Sequence, residues 1–252
     1  MANPTAIPLA DPAVVTTENS LPPAIAPVSP DTAIRDYWAA RAHQHTSDRY
    51  LGIKMSKFPE DLRVYEHLLW VAAPDVVVEL GTQSGGSTLW LRDRLRTLES
   101  YGALAAPPKV IAVDIDLDAA RHNVAARDPR WAETIAFVEG SVCDPAVRAE
   151  VGSHIPAGAV CMVIEDSAHT AETTRAALEL YSDLIGPGGF FVVEDGCVDV
   201  PWMRIKDDWP DGVLPALNDW LATPQGSPFR IRRELELYGL SCHPSGFLQR
   251  VA

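Results

Sequence analysis

Five runs of apolar, largely β-branched residues recur between helical stretches: "DVVVEL" (75–80), "KVIAVD" (109–114), "TIAFVE" (134–139), "AVCMVIED" (159–166) and "GFFVVED" (189–195). Near-continuous apolar runs of this length are what strands buried on both faces of a parallel sheet require. The segments near 86–100, 117–127, 145–151 and 170–185 supply helical crossovers. The pattern predicts a doubly wound α/β fold, Rossmann-like, with a mostly parallel sheet. Near the C-terminus, "FRIRRE" and "GFLQRV" flank a turn-rich connection, which predicts a closing antiparallel strand pair. Ahead of the first run, "DTAIRDYWAARAHQH" reads as a capped helix and "FPEDLRVYEHLLWVAA" as a second, with Pro59 in its first turn and Leu62, Tyr65, Leu68 and Leu69 on one face. Residues 1–30, in which proline recurs with few aromatics, read as a disordered leader, leaving 31–252 as a single domain.

The first strand runs into a glycine-rich turn, "ELGTQSGGST" (79–88). Gly81, Gly86, Ser87 and Thr88 fit a phosphate-binding loop in glycine spacing and in the final hydroxyl, but Ser87 stands where the lysine belongs. The dinucleotide fingerprint fails as well, because its second glycine would fall at Gln83. The turn needs another ligand. In an open α/β sheet that ligand sits beyond the carboxyl ends of the strands, where Glu79, Asp114, Gly140 with Ser141, Asp166, and Glu194 with Asp195 all fall. A single strand-end acid is equally well a helix cap.

Bulk composition excludes several classes of function. Twenty-one basic against thirty-four acidic residues give a net charge of −13, and no Lys/Arg cluster offers a nucleic acid its phosphate contacts. No segment approaches the roughly 20 apolar residues of a membrane span. The N-terminus lacks the basic start and unbroken apolar core of a secretory signal. Cys143, Cys161, Cys197 and Cys242 lack the close pairing of a zinc site and read as buried free thiols, which fits a reducing cytoplasm.

Taken together, "FPEDLRVYEHLLW", "ELGTQSGGST", "VIAVDID", "FVEGSV", "IEDSAHT", "VVEDG" and "PSGFLQRV" resemble the S-adenosylmethionine-dependent methyltransferases, and within them the group of cephalosporin hydroxylase and macrolide and rhamnosyl O-methyltransferases. The resemblance covers residue 50 or so to the C-terminus. It implies that Glu79, Gly81 and Ser87 lie near the methionine part of S-adenosylmethionine, that Asp114 takes the ribose hydroxyls, and that Ser141 and Val142 border the adenine. A lysine in the turn would be unwelcome, since the methyl donor is itself a cation.

The resemblance also places this group's metal ligands at Asp166, Glu194 and Asp195. If their strands are neighbours, about 4.8 Å apart, the three carboxylates would repel one another unless a cation joined them. An all-oxygen shell suits Mg²⁺, with Mn²⁺ as the alternative. His169 matches the group's catalytic base, with Asp166 beside it in "EDSAHT"; Glu165 reads as a solvated acid. The expected activity is Mg²⁺-dependent methylation of a sugar hydroxyl, on a rhamnose or another deoxysugar of a glycosylated natural product in antibiotic biosynthesis, by a cytoplasmic homo-oligomer. A cephalosporin hydroxylation or methoxylation component, a catechol-type phenolic O-methyltransferase and a non-catalytic binding protein are the alternatives. Tyr50, Lys54, Trp202 and Trp209 lie in the loops expected to meet the acceptor.

Overall fold

A computed structural model describes residues 22–252. Most of the proline-rich stretch therefore lies outside the described residues, and 22–30 form no helix or strand. Helix α1 (Ile34–His45) begins at Ala33, which makes no side-chain capping bond, so the cap expected near Asp31 is not what starts it. A short hairpin follows, β1 (Arg49–Tyr50) against β2 (Ile53–Lys54). Its two turn residues, Leu51 and Gly52, both have positive φ (52° and 79°), the twist that a two-residue hairpin favours. Helix α2 (Pro59–Ala72) starts on its proline and buries Val64, Tyr65, Leu68 and Leu69. It ends where Ala73 turns left-handed and its N–H bonds back to Leu69 O.

The alternation continues through β3 (Val76–Leu80), α3 (Gly86–Ser100), β4 (Lys109–Asp114), α4 (Asp118–Arg127), β5 (Ile135–Glu139) and α5 (Pro145–Ser153). It then runs through β6 (Cys161–Glu165), α6 (Ala171–Tyr181), β7 (Phe190–Val193), α7 (Val213–Leu221), β8 (Phe229–Ile231) and β9 (Phe247–Arg250). Helix α7 and the β1–β2 hairpin are absent from the sequence reading. The stretch leading into α7 is broken by Pro210 and Gly212, which hid the helix.

The strand order is β5-β4-β3-β6-β7-β9-β8. From β5 to β7 all neighbours are parallel. Strand β9 runs antiparallel between β7 and β8, so the expected C-terminal pair is present and docks on the sheet edge. Along β3, Val76, Val78 and Leu80 enter one core with Trp38, Val163 and Phe191, while Val77 enters the other with Leu68, Leu89 and Met162. That period of two is the pleat of a strand covered on both faces. The chain winds outward from β3 to β5 and then returns to β6 on the other side of β3. The switch point between β3 and β6 is where such a sheet opens a crevice at its carboxyl ends.

Candidate active site

A cavity of about 690 Å³ occupies that crevice. The glycine turn forms one wall. Gly81 has φ +93°, and a Cβ there would lie 2.0 Å from the carbonyl oxygen of Asp166, so the ends of β3 and β6 approach as closely as only glycine allows. Asp114 braces the turn, its Oδ2 accepting the N–H groups of Thr82 at 2.9 Å and Gln83 at 2.8 Å. Gly81, Ser87, Asp114, Ser141 and Val142 all line the cavity, joined by the exposed side chain of Ile115.

Glu79 is placed differently from the other residues assigned to the cofactor. It is buried below the turn, and its Oε2 accepts from the hydroxyls of Thr82, at 2.9 Å, and of Thr88. Burial pushes its carboxyl up, against the hydroxyls that favour its ionised form. From there it holds the turn to the first residues of α3.

The second wall carries the acids and His169. Strands β6 and β7 are hydrogen-bonded neighbours, and the Glu194 N–H continues the ladder onto Glu165 O at 2.9 Å. This adjacency puts Asp166, Glu194 and Asp195 at neighbouring strand ends, with Asp166 and Asp195 on the cavity wall and Glu194 buried behind it. His169 Nε2 lies 3.3 Å from Asp195 Oδ2 and 3.9 Å from Asp166 Oδ1. One donor atom from each of Asp166, His169 and Asp195 falls within 4.8 Å of the others. His169 and Asp195 are both left-handed, each with φ 55°, a conformation uncommon outside glycine that Asp and His adopt more readily than most residues. The capping box of α6, in which Thr170 and Thr173 exchange side-chain-to-backbone bonds, fixes the chain directly after His169.

Glu194 faces inward and lines no part of the cavity. Its Oε2 accepts from Lys57 Nζ and its Oε1 from the Tyr65 hydroxyl, both at 2.5 Å. Burial would raise its carboxyl, but the Lys57 ammonium outweighs that and holds it at about 2. Asp166 moves the other way, pushed well up by burial and by the charge of Glu194 despite its own bond to Lys57. Glu165, expected to be solvated, is fully buried, and its Oε1 accepts from the hydroxyl and amide of Ser167. The reason is register: Glu165 completes β6 opposite Leu80 and Val193 inside the sheet.

Several residues of the site escape a reading of the sequence. Lys57 and Tyr65 precede the first core strand by many residues, and His243 comes from the turn before β9. The Nδ1 of His243 accepts the N–H of Asp195 at 3.0 Å. His45, its ring pushed toward the neutral form by burial, lines the main cavity and also a second one of about 380 Å³, shared with Gln83, His169 and Asp195. Trp38, Lys206 and Trp209 line this second cavity. Of the residues expected at the acceptor, Trp209 and Lys54 reach a cavity. Tyr50 instead donates to Asp93, and Trp202 packs edge-on against Trp38.

The profile of the rhamnosyl O-methyltransferase/CmcI family matches residues 28–251. The chain belongs to that family. The rhamnosyl O-methyltransferase of Mycobacterium tuberculosis is 29% identical to it over 211 residues, covering 81% of this chain and 79% of the relative. That of Mycobacterium leprae is 30% identical over 152 residues, or 58% of this chain and 59% of the relative. Among solved structures, a CmcI with Mg and SAM matches at a TM-score of 0.61 with 22% identity over 98% of both chains. An apo CmcI matches at 0.59 with 23% identity, over 92% of this chain and 90% of that one. Family membership accords with the S-adenosylmethionine-dependent O-methyltransferase identity that the motifs implied, and the two structures share the family fold.

Proposed function

We propose that this family member is an S-adenosylmethionine- and Mg²⁺-dependent O-methyltransferase acting on a sugar hydroxyl, on a rhamnose or related deoxysugar of a glycosylated natural product. The observation that carries the reading is the placement of His169, Asp166 and Asp195 on the wall facing the glycine turn across one cavity. Cytoplasmic location, a homo-oligomeric state and a place in antibiotic biosynthesis belong to the same proposal. Among the described residues, no helix is long and apolar enough to cross a membrane.

The residues fit both partners of such a reaction. A cavity of this volume, lined by Gly81, Ser87, Asp114, Ile115, Ser141 and Val142, suits a nucleoside-sized ligand. In our reading the sulfonium group of S-adenosylmethionine supplies the reactive methyl, Asp114 meets the ribose, and Ser141 and Val142 meet the adenine, with Glu79 supporting the turn from below. For the metal, Asp166 and Asp195 would offer oxygen donors from the cavity wall, of the kind a hard divalent cation prefers, and Glu194 would offer a third from behind it. Each Glu194 oxygen keeps a lone pair beyond its bond to Lys57 or Tyr65. A divalent cation in this set would lower the pKa of a coordinated hydroxyl.

His169 is the base in this proposal. Its Nε2 sits among the acids, 3.3 Å from Asp195 Oδ2 and 3.9 Å from Asp166 Oδ1, on the cavity wall where the proton of a substrate hydroxyl would be taken up. The left-handed turns at His169 and Asp195 present both side chains to the same space. Alignment and charge are thus the protein's contribution, in keeping with a cofactor that carries the intrinsic reactivity.

The test is calorimetric binding of S-adenosylmethionine followed by methyl transfer to a panel of rhamnosylated and other deoxysugar-bearing compounds, with Mg²⁺ and with EDTA. Turnover should require the metal. His169→Ala should lower it by roughly 10²- to 10⁴-fold while leaving cofactor affinity unchanged. Failure to bind the cofactor, or equal turnover in EDTA, would overturn the corresponding half of the proposal.

A further inference from the structure

Lys57 sits in the loop between β2 and α2, and the acid-and-histidine account of the site gives it no role. It is 5% exposed. Lysine is among the residues least often sealed from water unless it is paired. Here the Nζ lies 2.5 Å from Asp166 Oδ2 and 2.5 Å from Glu194 Oε2, so one ammonium joins the carboxylates at the ends of two neighbouring strands.

The surroundings exclude a casual surface ion pair. Glu194 is buried and also takes the Tyr65 hydroxyl, and His243 Nε2 stands 3.6 Å from its Oε2. Asp61 Oδ2 lies 3.7 Å from the same nitrogen, anchored by the Ser241 hydroxyl and the Cys242 amide. His243 in turn accepts the Asp195 N–H. Four acids, Asp61, Asp166, Glu194 and Asp195, are therefore packed around one lysine and one histidine. Like charges at this spacing, two of them buried and two on the cavity wall, repel unless a positive charge lies among them.

We propose that Lys57 is a positioning residue for cation binding: its ammonium is the chain's own counter-charge, holding Asp166 and Glu194 together so that the donor set is assembled before a divalent ion arrives. The proposal rests on the metal reading above and adds to it. Removing the ammonium should leave the fold dependent on an added divalent cation, which then becomes the only charge able to join the acids.

The experiment compares thermal melting of the wild type and Lys57→Met in EDTA and in millimolar Mg²⁺, with Mn²⁺ binding followed by electron paramagnetic resonance. In EDTA the variant should melt about 10 °C below the wild type, as expected for breaking a buried pair. Mg²⁺ should recover roughly half of that gap or more, well beyond its effect on the wild type. Equal melting in EDTA, or a loss that Mg²⁺ does not selectively repair while Mn²⁺ still binds, overturns the proposal and leaves the metal reading standing. Absence of Mn²⁺ binding to both proteins overturns both. If Lys57→Met folds in neither buffer, the double variant Lys57→Met, Glu194→Gln decides: it folds in EDTA if charge balance is the role of Lys57, and its failure to fold overturns that role.

Discussion

A Cβ at residue 81 would meet the Asp166 carbonyl at 2.0 Å while φ stands at +93°, so two separate penalties act on any side chain there. Gly81→Ala should therefore lose cofactor binding even where the chain still folds, because relief of the clash moves β3 away from β6. Calorimetry on the folded fraction checks this. The residue scale also shows what a motif conceals. Asp114 binds two amides of the glycine turn, so the same carboxylate that is assigned to the ribose also shapes the loop that holds the methionine end. Glu79 supports the turn without facing the cavity, and its single apolar-strand context in "VVVEL" gives no hint of which way it points.

At the scale of elements, α6 sets the position of His169. The helix begins with a capping box at Thr170, one residue after the histidine's left-handed turn. Thr170→Ala should cost about 1 kcal/mol, a fall of roughly 2–4 °C in melting temperature for a chain of this size. Turnover should fall further than that loss of stability explains, with S-adenosylmethionine affinity unchanged, because the base loses its fixed orientation while the glycine turn is untouched. Comparing kcat with calorimetric affinity in the variant separates the two effects. Helix α7 packs on α6, and Trp220 meets Phe229 of β8 with ring centroids 5.2 Å apart. The C-terminal third therefore supports, from behind, the wall that carries His169 and the acids.

For the whole molecule, burial decides the chemistry of groups the reaction does not use. Cys161, Cys197 and Cys242 are buried and Cys143 is half-buried; all four are free thiols. The expectation of buried thiols thus holds for three of them. Burial pushes the Cys161 thiol up from 9.0 to about 11. The stability tied to its protonated form is intact below pH 9 and declines as pH climbs from 9 toward 11, since the unfolded chain ionises first. A disulfide-exchange reagent at pH 8 should titrate one thiol, Cys143, in the native protein and all four in denaturant. More than one reactive thiol in the native state would contradict the core described. In the sequence by itself, local periodicity and contiguous motifs were enough to specify the five parallel strands, most of the helices between them, the glycine turn and the acids at the strand ends. They did not show α7, whose approach is interrupted by proline and glycine, or the burial of Glu165, which depends on strand register. Only the tertiary structure brought Lys57, Tyr65, Asp61 and His243 beneath the acids. The physical reason is that a charge buried far along the chain from its partners leaves no periodic signal: its position follows from the need to balance carboxylates that sheet topology, and nothing local, brings together.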